Sequence, residues 1–267
     1  MPKFSANLGF LWPDRSLLAR IAAAAQAGFK AVELHWPYDI PASEVHIACA
    51  EHGVRLLALN TPLGDTAKGE FGLAVLEGRQ KDFETSLDQA IDYARTAGAS
   101  AIHVMAGVVP VADKPRARQV FAQNLALAAQ KAADFKLLLE PINQRDKPGY
   151  FYSTLEEAAS LIAEIGASNL KIMFDVYHVG VSQGDIFKRL EHHLPMIGHV
   201  QIAAVPSRAE PDEGEIAYPA VFAELDRLGY SGWVGCEYKP RGATDDGLSW
   251  VKTLGVSLEQ QDSIWNE

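Results

Sequence analysis

Lys136-Leu137-Leu138-Leu139-Glu140-Pro141 is a short apolar run that stops on a carboxylate and a proline, and no helical periodicity resumes until about Thr154. Such a run reads as a strand covered on both faces. The same shape recurs downstream. Lys171-Ile172-Met173-Phe174-Asp175 ends on an aspartate, His199-Val200-Gln201 on an amide and Gly235-Cys236-Glu237 on a second glutamate. The eight candidate strands are Phe4–Leu8, Ala31–His35, Val54–Asn60, Ala101–Met105, Lys136–Glu140, Leu170–Asp175, Ile197–Ile202 and Trp233–Glu237. Amphipathic stretches lie between them, among them Ser16–Ala27, Gln80–Ala97, Arg116–Ala133, Thr154–Ile165 and Tyr218–Leu228. Eight β/α repeats in 267 residues predict an α/β fold closed into a (β/α)8 barrel, with residues 1–267 as one domain.

The connections show which end of that barrel works. Helix-to-strand turns are short, and Gly28, Gly53, Gly98, Gly166 and Gly229 mark helix stops. The strand-to-helix connections Thr61–Arg79, Pro141–Ser153 and Ala203–Ala217 are long, polar and proline-bearing. Length spent on the strand C-terminal face points to binding and chemistry there.

Bulk composition removes several function classes. A formal net charge of −10, with Lys and Arg never more than two in a row, argues against a nucleic-acid partner. No apolar stretch reaches the ~18 residues of a membrane span. The start of the chain has no basic stretch followed by an apolar run, so no signal peptide is expected. Cys49 and Cys236 are far apart in apolar surroundings and read as free thiols in a reducing, cytoplasmic compartment.

Barrel closure sets the ends of strands 5 to 8 side by side, so Glu140, Asp175, Gln201 and Glu237 converge at one mouth. Three crowded carboxylates repel, and one divalent cation resolves that repulsion. An all-oxygen set suits Mg²⁺ or Mn²⁺ better than zinc. The plain alternative for a single strand-end acid is a helix cap or a solvated loop residue. Glu140 resists it because Pro141 follows and the next helix starts some fourteen residues on. His178, three residues beyond Asp175, could donate to a substrate oxygen or hold a helix start. Arg208, in Val205-Pro206-Ser207-Arg208, could fork onto a substrate carboxylate or make a surface ion pair. His103 and Asn60, with Glu33 and His35, end strands 4, 3 and 2 and read equally as substrate contacts or rim packing. His46, His52, His192 and His193 fall on helices and read as surface, while Trp12, Trp36 and Trp233 could wall a small pocket but read first as core packing.

Several blocks carry a resemblance over nearly the whole chain: residues 140–149 (Glu-Pro-Ile-Asn-Gln-Arg-Asp-Lys-Pro-Gly), 198–203 (Gly-His-Val-Gln-Ile-Ala), 205–211 and 232–240 (Gly-Trp-Val-Gly-Cys-Glu-Tyr-Lys-Pro). In them the sequence resembles the hydroxypyruvate isomerase family of the xylose-isomerase-like TIM barrels. Residues 103–110 and 69–73 look more like its 2-oxo-tetronate isomerase branch. The resemblance implies catalytic glutamates at Glu140 and Glu237 and metal ligands at Glu140, Asp175, Gln201 and Glu237. The implied substrate is a small 2-oxo-hydroxy sugar acid. The metal would grip its carbonyl and neighbouring hydroxyl while one glutamate removes a proton and the other returns one. A homo-oligomer is compatible with this reading. The competing readings are a ketose 3-epimerase or sugar dehydratase on the same barrel, an abasic-site endonuclease and a non-catalytic binding protein. Epimerases of this type tend to have His where Gln201 stands.

Overall fold

The computed structural model describes residues 2–258. Eight parallel strands close in chain order: β1 Lys3–Asn7, β2 Ala31–Glu33, β3 Arg55–Asn60, β4 Ala101–His103, β5 Lys136–Leu139, β6 Leu170–Asp175, β7 Ile197–Ile202 and β8 Trp233–Cys236. β1 pairs with β8 through Lys3–Trp233 to Ala6–Cys236, which seals the sheet and removes its edges. The surrounding helices are α1 Leu17–Gln26, α2 Ala42–His52, α3 Gln80–Ala97, α4 Lys114–Lys131, α5 Leu155–Ile165, α6 Val176–Ser182, α7 Ile186–His193 and α8 Tyr218–Arg227. Two single turns follow, α9 Thr244–Gly247 and α10 Trp250–Thr253. The expected barrel and all eight strands are present, with β2 and β4 two residues shorter than their apolar runs.

Two cores result from the period-two geometry of strands. Outward residues such as Phe4, Leu137 and Val234 join the helices in one continuous apolar layer. There Phe4 meets Phe222 and Trp250 edge-on, with ring centroids 5.2 and 5.8 Å away. Inward residues Ala58, Ala101, Leu138 and Met173 form a separate small cluster inside β3 to β6. Across the barrel the inner positions are polar or empty: Ser5, Glu33, His199 and Gly235. Half of the lumen is therefore packed and the other half hydrogen-bonded.

Helix ends follow local chemistry. Thr154 and Glu157 form a reciprocal capping box at α5, and Gly53, Gly98 and Gly166 take the left-handed conformation at the ends of α2, α3 and α5. Among the described residues no helix is long and apolar enough to cross a membrane.

Candidate active site

Two residues beyond each inward residue, the chain points inward again, one layer nearer the mouth. Leu138 leads to Glu140, Met173 to Asp175, His199 to Gln201, Gly235 to Glu237, Ala101 to His103 and Ala58 to Asn60. The mouth is thus built by strand geometry, and its groups are nearly sealed from solvent: Glu140 is 5% exposed, Asp175 2%, Gln201 2% and Glu237 7%. Glu140, Gln201, Glu237, His103 and Asn60 line one cavity of about 20 Å³. Asp175 joins them from β6, with a carboxylate oxygen within 4.8 Å of one from Glu140. A larger hollow of about 410 Å³ beside α4 and α5 contains none of these groups. The polar strand-end groups gather in the smaller space.

Asp175 is a helix cap with one oxygen left over. Its Oδ1 accepts the Tyr177 N–H at 2.8 Å and caps α6, while Oδ2 is buried without a hydrogen-bond partner. Glu140 Oε1 and Gln201 Oε1 are likewise buried and unpartnered. Leaving three such acceptors unmet costs about 1–3 kcal/mol each. Glu140, Asp175 and Gln201 therefore offer one free oxygen apiece, a donor set that suits a hard divalent cation.

His178 lies one turn into α6, with Nε2 3.5 Å from Glu140 Oε1 and 3.6 Å from Asp175 Oδ2. Its ring is oriented from behind. Asn143 Oδ1 accepts the Asp146 N–H at 2.8 Å, which turns the Asn143 amide nitrogen toward His178 Nδ1 at 2.6 Å. The Asn143 backbone N–H also donates to Nδ1, at 3.3 Å. Nδ1 is therefore the acceptor and Nε2 carries the proton. Close as it is to the two carboxylates, His178 in this tautomer turns an N–H and not a lone pair toward the mouth. His103 Nδ1 sits 3.5 Å from the other Glu140 oxygen.

Arg208 is no surface residue. It has φ +58, a conformation uncommon for a non-glycine residue, and its side chain turns inward. Nη2 donates to Glu237 Oε1 at 3.0 Å and Nη1 to Asp146 Oδ2 at 3.2 Å, while Nε is buried without a partner. Phe10 and Tyr177 hold the guanidinium between them, each ring centroid 5.0 Å from Cζ. Asp146 in turn accepts the Tyr177 hydroxyl at 2.8 Å.

These contacts split the carboxylates. Burial, then the charges of Glu237 and Asp175, hold Glu140 well above the usual carboxylate range. Burial and Glu237 push Asp175 up to about 7. Burial opposes ionisation of Glu237 too, but the His35 hydrogen bond and the Arg208 cation outweigh it, and Glu237 is lowered to about 2. Burial lowers His103 to about 4 and His178 to about 3, so both imidazoles are neutral at pH 7.

Asn143, Asp146, Tyr177 and Phe10 escaped the sequence reading. The first two lie in the long loop after β5 among other polar residues, and nothing in their spacing separates them from solvated neighbours. His35, read equally as a substrate contact or rim packing, approaches Glu237 Oε1 at 3.5 Å. His193, expected at the surface, is 4% exposed at the end of α7. Trp36, expected in the core, is instead 37% exposed and meets Phe71 edge-on at 6.1 Å. Trp12 is fully buried.

The profile of the xylose isomerase-like TIM barrels matches residues 21–254. The chain is 46% identical to 2-oxo-tetronate isomerase of Cupriavidus necator over 255 residues, covering 94% of this chain and 98% of that one. It is 39% identical to hydroxypyruvate isomerase of Escherichia coli over 254 residues, covering 94% and 98%. A crystal structure from Brucella melitensis, titled AP endonuclease, family 2, superposes with a TM-score of 0.92 at 39% identity, covering 95% and 99%. The Escherichia coli 3-keto-D-glucoside 4-epimerase, at 21% identity and a TM-score of 0.78 over 95% and 99%, shares the fold. The chain therefore belongs to the xylose isomerase-like TIM barrel family, beside its 2-oxo-tetronate and hydroxypyruvate isomerases.

Proposed function

We propose that the chain isomerises small 2-oxo-hydroxy sugar acids, 2-oxo-tetronate ahead of hydroxypyruvate, with one Mg²⁺ or Mn²⁺ ion and two glutamates. The observation that carries this reading is the set of three buried, unpartnered oxygens on Glu140, Asp175 and Gln201 beside Glu237. Glu140, Asp175, Gln201 and Glu237 would hold the ion. A bound divalent ion supplies positive charge beside substrate oxygens that become negative as the proton leaves. Glu140 and Glu237 move the carbon-bound proton, one taking it from the hydroxyl-bearing carbon beside the carbonyl and the other returning one to the former carbonyl carbon, while the hydroxyl proton passes to the former carbonyl oxygen. The His178 Nε2–H donates to a substrate oxygen. Arg208 orients the carboxylate through the Nε–H that no protein group uses, with Phe10 and Tyr177 fixing the plane of its fork. Cys49 and Cys236 are buried free thiols, in keeping with a reducing cytoplasm.

The names of the similar isomerases support the sugar-acid class, and the site chemistry argues against a nuclease reading of this chain. Among the described residues the one cluster of potential metal-binding residues is Glu140, Asp175 and His178, without a histidine-rich multi-metal array. The test is a substrate panel run with Mn²⁺ and with chelator. The expected result is metal-dependent turnover of 2-oxo-tetronate, weaker turnover of hydroxypyruvate and none of an uncharged ketose. Faster epimerisation of the ketose, or full activity in chelator, would overturn the proposal.

A further inference from the structure

Glu33 is a fully enclosed carboxylate that the reaction outlined above does not use. It is 2% exposed at the end of β2, on the polar side of the lumen. Its Oε1 accepts the Ser5 hydroxyl at 2.5 Å, and Oε2 accepts the Gln201 amide N–H at 2.9 Å. His199 Nε2 lies 2.9 Å from Oε1, without the alignment of a hydrogen bond. The bond to Gln201 has a directional consequence. A side-chain amide has two faces, and a carboxylate oxygen accepts only from the nitrogen. With Nε2 turned to Glu33, Gln201 Oε1 must face the opposite way, where it is buried and unpartnered beside Glu140 and Glu237. A reversed amide would set oxygen against oxygen at 2.9 Å. The barrel also keeps space for this carboxylate: a Cβ at Gly235 on β8 would lie 2.2 Å from Glu33 Oε1.

We infer that Glu33 is a positioning residue that fixes the amide of Gln201 so that its oxygen, and not its nitrogen, faces the metal-binding group. This rests on the metal-dependent reading above. Groups that orient a metal ligand from behind change affinity by ~10–100-fold when lost. Ser5 supports the same carboxylate from β1, so the chain Ser5–Glu33–Gln201 spans β1, β2 and β7 and ties the ligand to the frame of the barrel.

The test is a double-mutant cycle read by calorimetric Mn²⁺ titration of folded protein, with no substrate present. Glu33→Met keeps the length of the side chain but removes the acceptor that Gln201 needs. Glu33→Asp keeps the charge but withdraws it from Gln201, and serves the same cycle. Either change is expected to weaken Mn²⁺ binding at least ~10-fold in the wild-type background and to have little further effect in Gln201→Ala, where no amide remains to orient. Unchanged affinity in both Glu33 variants overturns the inference while leaving the metal reading intact. A loss that persists at full size in Gln201→Ala also overturns it, in favour of a general effect on the barrel. Wild-type protein that binds no Mn²⁺ overturns the metal reading itself, and the inference with it.

Discussion

At the scale of single residues, the mouth works by dividing one side chain's atoms between two tasks. Asp175 caps α6 with one oxygen and leaves the other free. Gln201 gives its nitrogen to Glu33 and its oxygen to the cavity. A reading that sets cap against site residue, as the sequence invites, therefore asks for a choice that a side chain with two polar atoms does not require. The strand-end carboxylates were legible because an acid at the end of an apolar run is conspicuous. Glu33 was visible for the same reason, but its role depends on which atom faces which, and a sequence has no atoms to orient. Glu140→Gln and Glu237→Gln are each expected to lower kcat by at least ~10²-fold in a folded protein, checked by turnover and circular dichroism. Near-normal kcat in either variant ends the two-glutamate mechanism. Arg208→Lys keeps the charge but loses the planar fork and its place between Phe10 and Tyr177. Losing one charge-assisted bond worth ~1.5–3 kcal/mol raises KM for the acid roughly tenfold or more. An unchanged KM would remove Arg208 from substrate binding.

At the scale of elements, all eight strands and the helices α1, α3, α4, α5 and α8 were legible, because period-two and period-3.6 patterns need only local information. The loops were legible as long and polar but not as contacts. The connection after β5 reaches the one after β7 through Asp146 and Arg208, and through Arg145 donating to the Pro206 carbonyl at 3.1 Å. No local pattern reports a meeting of residues some sixty positions apart. Stability and chemistry should therefore separate between the outer helical layer and the lumen. The α5 capping box starts just after the long loop, with Thr154 Oγ1 accepting the Glu157 N–H at 3.3 Å in an exposed setting. Thr154→Ala is expected to cost about 1 kcal/mol, read by urea denaturation, and to leave kcat within about twofold. A tenfold fall in kcat would mean that the α5 start and the loop before it respond as one unit with the site. Gly235→Ala should show the converse pattern. Its new Cβ would displace the Glu33 carboxylate, so metal affinity is expected to fall more than ~10-fold, while the helical layer outside β8 is untouched. Unaltered Mn²⁺ titration in that variant would show that the lumen absorbs the methyl group.

At the scale of the whole molecule, a well-packed outer layer holds together a mouth that is electrostatically unfavourable by itself. Glu140, Asp175, Glu237 and Glu33 are all buried around one small space, and Arg208 reaches only Glu237 among them. Sites assembled for binding charge commonly reduce the stability of the empty protein. The sign can be worked out for Asp175, whose carboxyl moves from an ordinary 3.8 to about 7 in the folded, metal-free chain. A carboxyl with a raised folded pKa contributes stability that is present below its unfolded pKa and is lost as pH rises through its folded pKa. In chelator, Asp175 therefore lowers wild-type stability progressively between about pH 4 and pH 7. Asp175→Asn removes that ionisation and can still cap α6, since Asn caps as well as Asp. In chelator its melting temperature relative to wild type is expected to climb across this interval and to exceed wild type at pH 7.5. With Mn²⁺ present the order should reverse. Wild type gains about 2.7 kcal/mol at a hundredfold excess over Kd. That corresponds to roughly 5–10 °C for a domain of this size, whereas the variant, lacking one ligand charge, gains far less. Differential scanning calorimetry at three pH values, with and without metal, reads the whole pattern. A wild type more stable than Asp175→Asn in chelator at pH 7.5 would make Asp175 a structural cap first. An equal Mn²⁺ shift in both proteins would remove it from the metal site.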